Sequence, residues 1–152
     1  MTINETLDKI QKDLQGIVQR ITLNERTRRA EMVIDANNIV EVGKYLLKKM
    51  GFRLVIATAA QLKRDFDIYY HFSYDSLGLI LNVRVTLPYE NDSIDSLSLV
   101  STAANWIERE INELYGIHFR NHPNMEKLIS DGNWGKDVFP YRKEVEPKTT
   151  MS

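Results

Sequence analysis

The chain has 152 residues and a mass of 17.7 kDa, which is enough for one domain with its own hydrophobic core but short for two. Hydrophobic residues make up 43% and charged residues 27% of the sequence, which is typical of a globular protein and unlike a disordered chain. The 20 basic and 21 acidic residues leave a formal net charge of -1. This balance disfavours a general binder of nucleic acid or of anionic lipid.

The sequence contains no cysteine, which excludes disulfides, a thiol nucleophile, cysteine-ligated zinc and cysteine-held iron–sulfur clusters in this chain. The seven glycines form neither a G-x-G-x-x-G nor a P-loop pattern, so no motif indicates nucleotide binding. The N-terminus is acidic at Glu5 and Asp8, and no run reaches about 18 apolar residues. We therefore expect a cytoplasmic chain without a signal peptide or a membrane span.

The first predicted element is an amphipathic helix over residues 2–21, because apolar residues recur there at three- and four-residue steps. Its apolar side could pack on the sheet of its own domain or on another subunit, since both uses share one pattern. A strand is predicted over 30–36. The next predicted element is a helix that begins after Asn37 or Asn38, either of which can cap it, and extends through Met50.

Three β-rich stretches come next, over 52–59, 67–74 and 79–87, and a turn sequence between the last two predicts a hairpin. A second strong helix is predicted over 99–115. Strands in hairpin order with helices before and after favour an α+β domain over residues 1–116. We expect a mainly antiparallel sheet of about four strands with helices packed on one face.

The remaining residues, 117–152, lack periodicity and are predicted to form an extended tail whose last residues are disordered. A stretch of this length without clear elements is long for a loop inside a compact domain. It carries aromatic and charged side chains, and aromatic residues and arginine are enriched at protein interfaces. We interpret this tail as a segment that binds a partner.

A small metal-dependent hydrolase is one competing interpretation. Its best candidate residues are His118, His122 and Glu110, although a glycine and a proline interrupt the helix that would place both histidines on one face. Glu108 and Glu110 lie about 200° apart on a helix and cannot converge on one substrate. A further alternative is a free-standing adaptor that dimerises through helix 2–21.

The stretch over 104–119, ANWIEREINELYGIHF, is followed by Asn121-His122-Pro123. It resembles the signature of the 30-kilodalton subunit of respiratory complex I, its C subunit, and of the related subunit of membrane-bound nickel–iron (NiFe) hydrogenases. In that signature a Trp and a Glu-Arg-Glu triplet precede an acidic residue, an apolar-aromatic-Gly turn and a His-Pro. The segment WGKDVFPYRKE over 134–144 resembles the closing block of the family.

This resemblance implies a subunit without a cofactor of its own, docked on the large catalytic subunit of a membrane-associated oxidoreductase of the NADH–quinone or group 4 NiFe hydrogenase type. Its role would be to assemble and stabilise the complex. The nickel–iron and iron–sulfur centres, or the quinone, would lie in partner subunits, namely the large subunit and a small iron–sulfur subunit. The chain would reach the cytoplasmic side of the membrane only through the complex, and would bind no nucleic acid.

The residues that the resemblance assigns to partner binding lie in the signature and in the closing block. Glu113 stands where the family usually has Asp, and Tyr141 stands where it usually has Leu. The complete expected set is Trp106, Glu108, Arg109, Glu110, Glu113, Phe119, His122, Pro123, Trp134, Phe139, Pro140, Tyr141, Arg142 and Lys143.

Overall fold

The computed structural model describes residues 1–123 together with 139, 141 and 142. Its helices are α1 (Ile3–Asp13), α2 (Ile39–Lys44), which continues as a π-helical turn over Tyr45–Lys49, and α3 (Thr102–Tyr115). Its strands are β1 (Val18–Asn24), β2 (Arg29–Ile34), β3 (Arg53–Gln61), β4 (Asp65–Tyr74), β5 (Leu79–Pro88), β6 (Ser93–Asp95) and β7 (His118–Arg120).

Five of the strands form one mixed sheet in the order β1-β2-β5-β4-β3. In this described sheet three neighbouring pairs are antiparallel, including the predicted hairpin of β4 and β5, and β2 runs parallel to β5. The short strands β6 and β7 pair in parallel beside it. The α+β class and the mainly antiparallel sheet are therefore confirmed.

The three helices cover one face of the five-stranded sheet. Ile10 of α1, Val42 of α2 and Ile107 of α3 lie in one hydrophobic core with inward-facing strand residues such as Phe72 and Leu81. Because side chains alternate along a strand, the intervening residues of the same strands point to the opposite face. We call this opposite side the helix-free face, since none of the described helices packs on it.

The predicted helix over 2–21 is wrong in its second half. Helix α1 ends at Asp13, and Gly16, with a φ of 88°, lets the chain turn into β1. Ile21 and Leu23 of β1 then pack against the core. Apolar residues at these positions fit the alternation of a strand as well as the steps of a helix, and the sheet consequently has five strands rather than about four.

The folded part continues past the predicted domain boundary at residue 116. Ile117 is fully buried and Phe119 of β7 is 6% exposed, so the first residues of the predicted tail belong to the core. Strand β7 forms because β6 lies beside it. The expectations for the rest of the tail, apart from 139, 141 and 142, lie outside the residues that the structure describes beyond residue 123.

Candidate partner-binding surface

Helix α3 carries most of the residues that the family resemblance singles out. It follows Ser101 and ends at Gly116, whose φ of 76° permits a left-handed cap and whose N–H donates to the Asn112 carbonyl at 2.8 Å. Its buried apolar residues are Ala104, Ile107 and Ile111. One side of α3 therefore packs in the core, and the other side is accessible to solvent or to a partner.

Glu108, one of the expected partner-binding residues, lies on the buried side of α3 and is only 1% exposed in the isolated chain. It stands four residues after Ala104 and three before Ile111, which places it on the core side. Its carboxylate accepts hydrogen bonds from the Ser96 hydroxyl at 2.5 Å and from the Leu97 N–H at 2.8 Å. Burial raises the pKa of Glu108 to about 7, and these hydrogen bonds oppose the rise only in part.

The imidazole of His122 packs beside Glu108 and is also buried, with 1% of the side chain exposed. Its Nε2 lies 3.0 Å from the carbonyl oxygen of Asn105 and 3.9 Å from a carboxylate oxygen of Glu108. Because a carbonyl oxygen can only accept, Nε2 carries the hydrogen in the shorter contact. Asn121, with a φ of 65°, turns the chain so that His122 fixes the segment after β7 against the middle of α3.

Two residues of the predicted closing block lie against the C-terminal end of α3. The ring of Phe139 covers Gly116 so closely that a Cβ at this glycine would lie 2.8 Å from ring atoms. The Tyr141 N–H donates to the Leu114 carbonyl at 2.8 Å, and the Tyr141 ring meets Tyr115 edge to face. These residues therefore pack on the chain's own domain.

Arg142 is engaged by the same domain. Its Nη1 lies 3.1 Å from a carboxylate oxygen of Asp92 and 3.4 Å from the Tyr115 carbonyl oxygen. The guanidinium carbon also stands 5.1 Å from the centroid of the Phe66 ring, at the distance of a cation–π contact. Arg142 thus joins the closing block to the loop before β6 and to the sheet.

Three of the expected residues that remain accessible lie on one side of α3. Trp106 is 58% exposed, and Arg109 and Glu110 are half-buried. Residues three and four positions apart on a helix are neighbours on its surface, so these three side chains form one patch, which we call the α3 patch. Pro123 and Tyr141 are exposed as well.

The remaining expected residues divide into two groups. Glu113 and Phe119 are buried, at 3% and 6% exposure, so neither side chain is available on the surface of the chain. Trp134, Pro140 and Lys143 lie outside the described residues.

The metal-site interpretation gains no support from the described residues. Among them, no three His, Asp or Glu side chains lie close enough to hold a metal ion. His118 is exposed and Glu110 half-buried, whereas His122 is buried against the Asn105 carbonyl.

The apolar side of α1 is used within the domain. Leu7, Ile10 and Leu14 are at most 6% exposed and belong to the same core as the sheet. Of the two uses left open by the pattern, packing on the chain's own sheet is the one observed. No helix in the described part of the chain is long and apolar enough to cross a membrane.

Sequence reasoning did not identify the residues outside α3 that contact Glu108 and Arg142. Asp92 and Ser96 lie in an acidic and serine-rich stretch whose composition indicates a loop, and Phe66 reads as an ordinary core residue. No local signal pairs Asp92 with Arg142, because 50 positions separate them along the chain. Their roles emerge only when the fold brings these segments together.

Residues 32–151 match the family described as "Respiratory-chain NADH dehydrogenase, 30 Kd subunit". The C subunit of the NADH-quinone oxidoreductase of Xanthobacter autotrophicus is 31% identical over 154 residues, covering 93% of this chain and 70% of the relative. The C subunit of the F(420)H(2) dehydrogenase of Methanosarcina mazei is 30% identical, covering 78% and 76%. The combined C/D subunit of the NADH-quinone oxidoreductase of Blochmanniella pennsylvanica is 34% identical over 106 residues, which are 70% of this chain and 17% of the relative.

Solved structures share this fold, among them the two that follow. A chain of the membrane-bound sulfane sulfur reductase, described as an archaeal respiratory membrane complex, superposes with a TM-score of 0.80 at 20% identity, covering 95% of this chain and 86% of that one. The trypsin-resistant fragment of Nqo5 superposes with a TM-score of 0.64 at 23% identity, covering 82% and 99%. The resemblance first seen in α3 is thereby confirmed along most of the sequence, and the chain belongs to the family of the 30-kilodalton subunit of respiratory-chain NADH dehydrogenase.

Proposed function

We propose that this chain is a docking subunit of a membrane-associated oxidoreductase related to complex I, with no cofactor of its own, and that it binds and stabilises the large catalytic subunit. The α3 patch is the proposed centre of the contact. The metal, iron–sulfur or quinone sites of the reaction then lie in the large subunit and a small iron–sulfur subunit. In this proposal the chain lies on the cytoplasmic side of the membrane and contacts the membrane only through the complex.

The observation that carries this proposal is the exposure of Trp106. An indole that is 58% exposed on an ordered helix leaves a large apolar surface in water, and tryptophan is among the residues most enriched at interface hot spots. Arg109 and Glu110 flank it on the same side of α3, so an aromatic anchor is bordered by one basic and one acidic group. This is the arrangement of an apolar centre with a polar rim that protein interfaces use.

The names of the relatives support a contact with a second subunit. In the Blochmanniella pennsylvanica relative, a C and a D subunit are combined under one name, and the aligned region covers 17% of its length. Two proteins that are combined in one organism are usually close in the assemblies of others. We therefore infer that the counterpart of that D subunit is the partner of the α3 patch in this protein.

The test is to replace Trp106 by Ala in the source organism and to measure how much of the chain migrates with the large subunit in native electrophoresis. We expect a loss of about tenfold or more, because truncating a buried aromatic anchor costs about 2 kcal/mol of binding free energy. The melting temperature of the isolated variant should stay close to that of the wild type, because the indole makes no part of the core.

Leu62→Ala is the matched control, since Leu62 is also exposed, at 42%, but lies between β3 and β4. Arg109→Ala should likewise impair assembly more than it lowers the melting temperature. Normal assembly of Trp106→Ala, or a melting temperature that falls in parallel with assembly, would contradict the proposal. Metal analysis of the purified wild-type chain tests the hydrolase interpretation directly.

A further inference from the structure

The helix-free face of the sheet carries an ordered row of side chains that the proposed contact at α3 does not use. Strand register places Arg20 of β1 beside Val33 of β2, and Val33 beside Arg84 of β5. The same row continues through Tyr69 of β4 to Thr58 of β3. One line of residues therefore crosses all five strands of the described sheet on the side away from the helices.

The acidic groups in the middle of this face are already paired. Asp67 is only 2% exposed and accepts from Arg84, with Nη2 at 2.8 Å, and from the Thr86 hydroxyl at 2.7 Å. Arg84 also reaches Glu31 at 3.4 Å and stands over the Tyr69 ring, 5.8 Å from its centroid. Arg84 is thus the ion-pair partner of both Asp67 and Glu31.

A second set of hydrogen bonds orders the neighbouring row. His71 bridges β3 and β5, with its Nε2 3.1 Å from the Thr58 hydroxyl and its Nδ1 2.6 Å from the Asn82 side-chain oxygen. The ring of His71 also stacks on Tyr69 with an angle of 10° between the planes. Side chains held in this way lose little conformational entropy when a partner binds over them.

The β1 edge of the face carries four exposed arginines. Arg26 and Arg28 lie in the loop between β1 and β2, Arg29 lies on the helix-free face opposite Asn24, and Arg20 lies on the same face opposite Val33, four residues further along β2. In the described part of the chain, none of the four forms an ion pair. With Glu25 as the one acid, residues 20–29 carry four basic groups, although the whole chain has a net charge of -1. We call these four arginines the basic corner.

The loop that presents the basic corner is held to the rest of the sheet. The Arg28 carbonyl accepts from the Ile80 N–H at 3.0 Å, and the Arg28 side chain lies against Gly78. The Asn24 side-chain oxygen accepts from the Thr27 N–H at 3.3 Å. The arginines therefore project from a supported hairpin rather than from a free end.

We propose that the basic corner and the adjoining row of the helix-free face form a second docking surface, whose occupant is a carboxylate-rich segment of another protein subunit of the same complex. The inference rests on the proposed function, because it requires that the chain works within an assembly. It adds a contact on the side of the sheet opposite to the helices, and it names the chemistry of the partner.

Two features favour an acidic protein over a lipid surface. All four cations are arginines, whose planar fork binds a carboxylate through two parallel hydrogen bonds. The segment over 24–29, NERTRR, contains no apolar side chain that would enter a bilayer, and surface-binding segments combine basic with apolar residues. The flat face beside it offers Tyr69, a residue type enriched at protein interfaces.

The first test is the double variant Arg26→Glu and Arg29→Glu in the source organism. We expect the amount of the chain in the assembled complex to fall about fivefold or more at physiological salt, because two attractive contacts become repulsive. Lys12→Glu with Lys44→Glu, also exposed but on the helices, is the control with the same change of charge and should assemble within about twofold of wild type. Thermal unfolding of both isolated variants checks that the fold is kept.

The second test identifies the occupant. A photo-crosslinking amino acid at Thr27 of the assembled complex should capture a peptide of another subunit rich in Asp and Glu. Changing those acids to Lys should restore assembly of the double variant. A crosslink to a segment without acids would overturn the proposal, as would normal assembly of the double variant.

Two other occupants are distinguished with the isolated chain. Vesicles of phosphatidylcholine with phosphatidylglycerol test a membrane, and sedimentation tests a second copy. Binding to the vesicles, or a dimer, that the double variant abolishes would overturn the proposal in favour of that occupant. If Trp106→Ala disrupts the complex while the arginine variant assembles normally, the second surface fails and the proposed function stands. If the wild-type chain is found in no complex, the proposed function itself fails.

Discussion

The buried carboxyl of Glu108 predicts a pH dependence of stability that a single substitution should remove. Its pKa is raised from the ordinary value of 4.5 to about 7 by burial between α3 and the segment at Ser96. Glu108→Gln keeps the shape of the side chain and an oxygen that accepts from the Leu97 N–H. Because glutamine does not ionise, the substitution removes proton binding at this position. His122, whose Nε2 lies 3.9 Å from a carboxylate oxygen of Glu108, is unchanged in this variant.

The sign of the pH dependence of stability follows from the direction in which folding shifts the pKa of Glu108. The folded chain binds the proton of Glu108 more tightly than the unfolded chain, so this group stabilises the fold most below pH 4.5. That contribution falls as the pH rises toward about 7 and is lost above it. At about 1.4 kcal/mol for each pKa unit, the difference between the two pKa values corresponds to a cost of about 3 kcal/mol in alkaline solution.

The assay is urea unfolding of the isolated wild-type and Glu108→Gln chains between pH 4 and about 8.5, with the free energy of unfolding extrapolated to water. The variant should gain stability over the wild type as the pH rises, by up to about 3 kcal/mol, with little difference near pH 4. Taking the difference between the two chains cancels the contributions of carboxyls with lowered pKa values, Asp13 and Asp75.

Glu110→Gln on the same helix is the matched control, because it makes the same chemical change at a half-buried position. Wild-type and Glu108→Gln curves that run parallel across the whole pH range would refute the reasoning. A constant loss of stability in Glu108→Gln would show that the carboxyl acts only through its hydrogen bonds.

Two further predictions concern stability and are checked by urea unfolding at neutral pH. Gly116→Ala should cost about 2–4 kcal/mol, because its φ of 76° strains an L residue and the added methyl group meets an aromatic ring at 2.8 Å, whereas Gly51→Ala, at 79° with open space around it, should cost about 1 kcal/mol. Arg84→Ala should cost about 2–3 kcal/mol by leaving the buried Asp67 carboxylate without its cation, while Arg53→Ala, which breaks an exposed ion pair, should cost clearly less. Equal losses within either pair would contradict the corresponding argument.

The fold class was within reach of the sequence because its elements are marked by local patterns. The hairpin of β4 and β5 follows from alternating apolar residues on each side of a turn, and α3 follows from its apolar stripe. The end of α1 was missed because the apolar residues around Gly16 fit a helix and a strand equally well. Strand β1 forms because β2 lies beside it, which no local pattern states.

The candidate site was only partly predictable. The motif in α3 identified Trp106 and Arg109 as candidate contact residues, and the structure leaves Trp106 exposed. The same motif also assigned Glu108 to partner binding, whereas the structure buries it. Sequence spacing alone does not show how many residues around a helix are buried. No sequence pattern identified the basic corner as a surface, because its arginines are spread over ten positions and only the β1–β2 pairing shows that Arg20 and Arg29 lie on the same face, opposite Val33 and Asn24.

The sequence by itself determined the family, the α+β class and the helix that carries the signature, because each rests on residues close together along the chain. Only the tertiary structure decided which charges are buried, which are paired and which stay open to a partner. Asp92 with Arg142, and Glu31 with Arg84, are joined across 50 and 53 positions. The energy of a charged group depends on the solvent and the atoms around it, and in a folded chain distant segments supply those atoms.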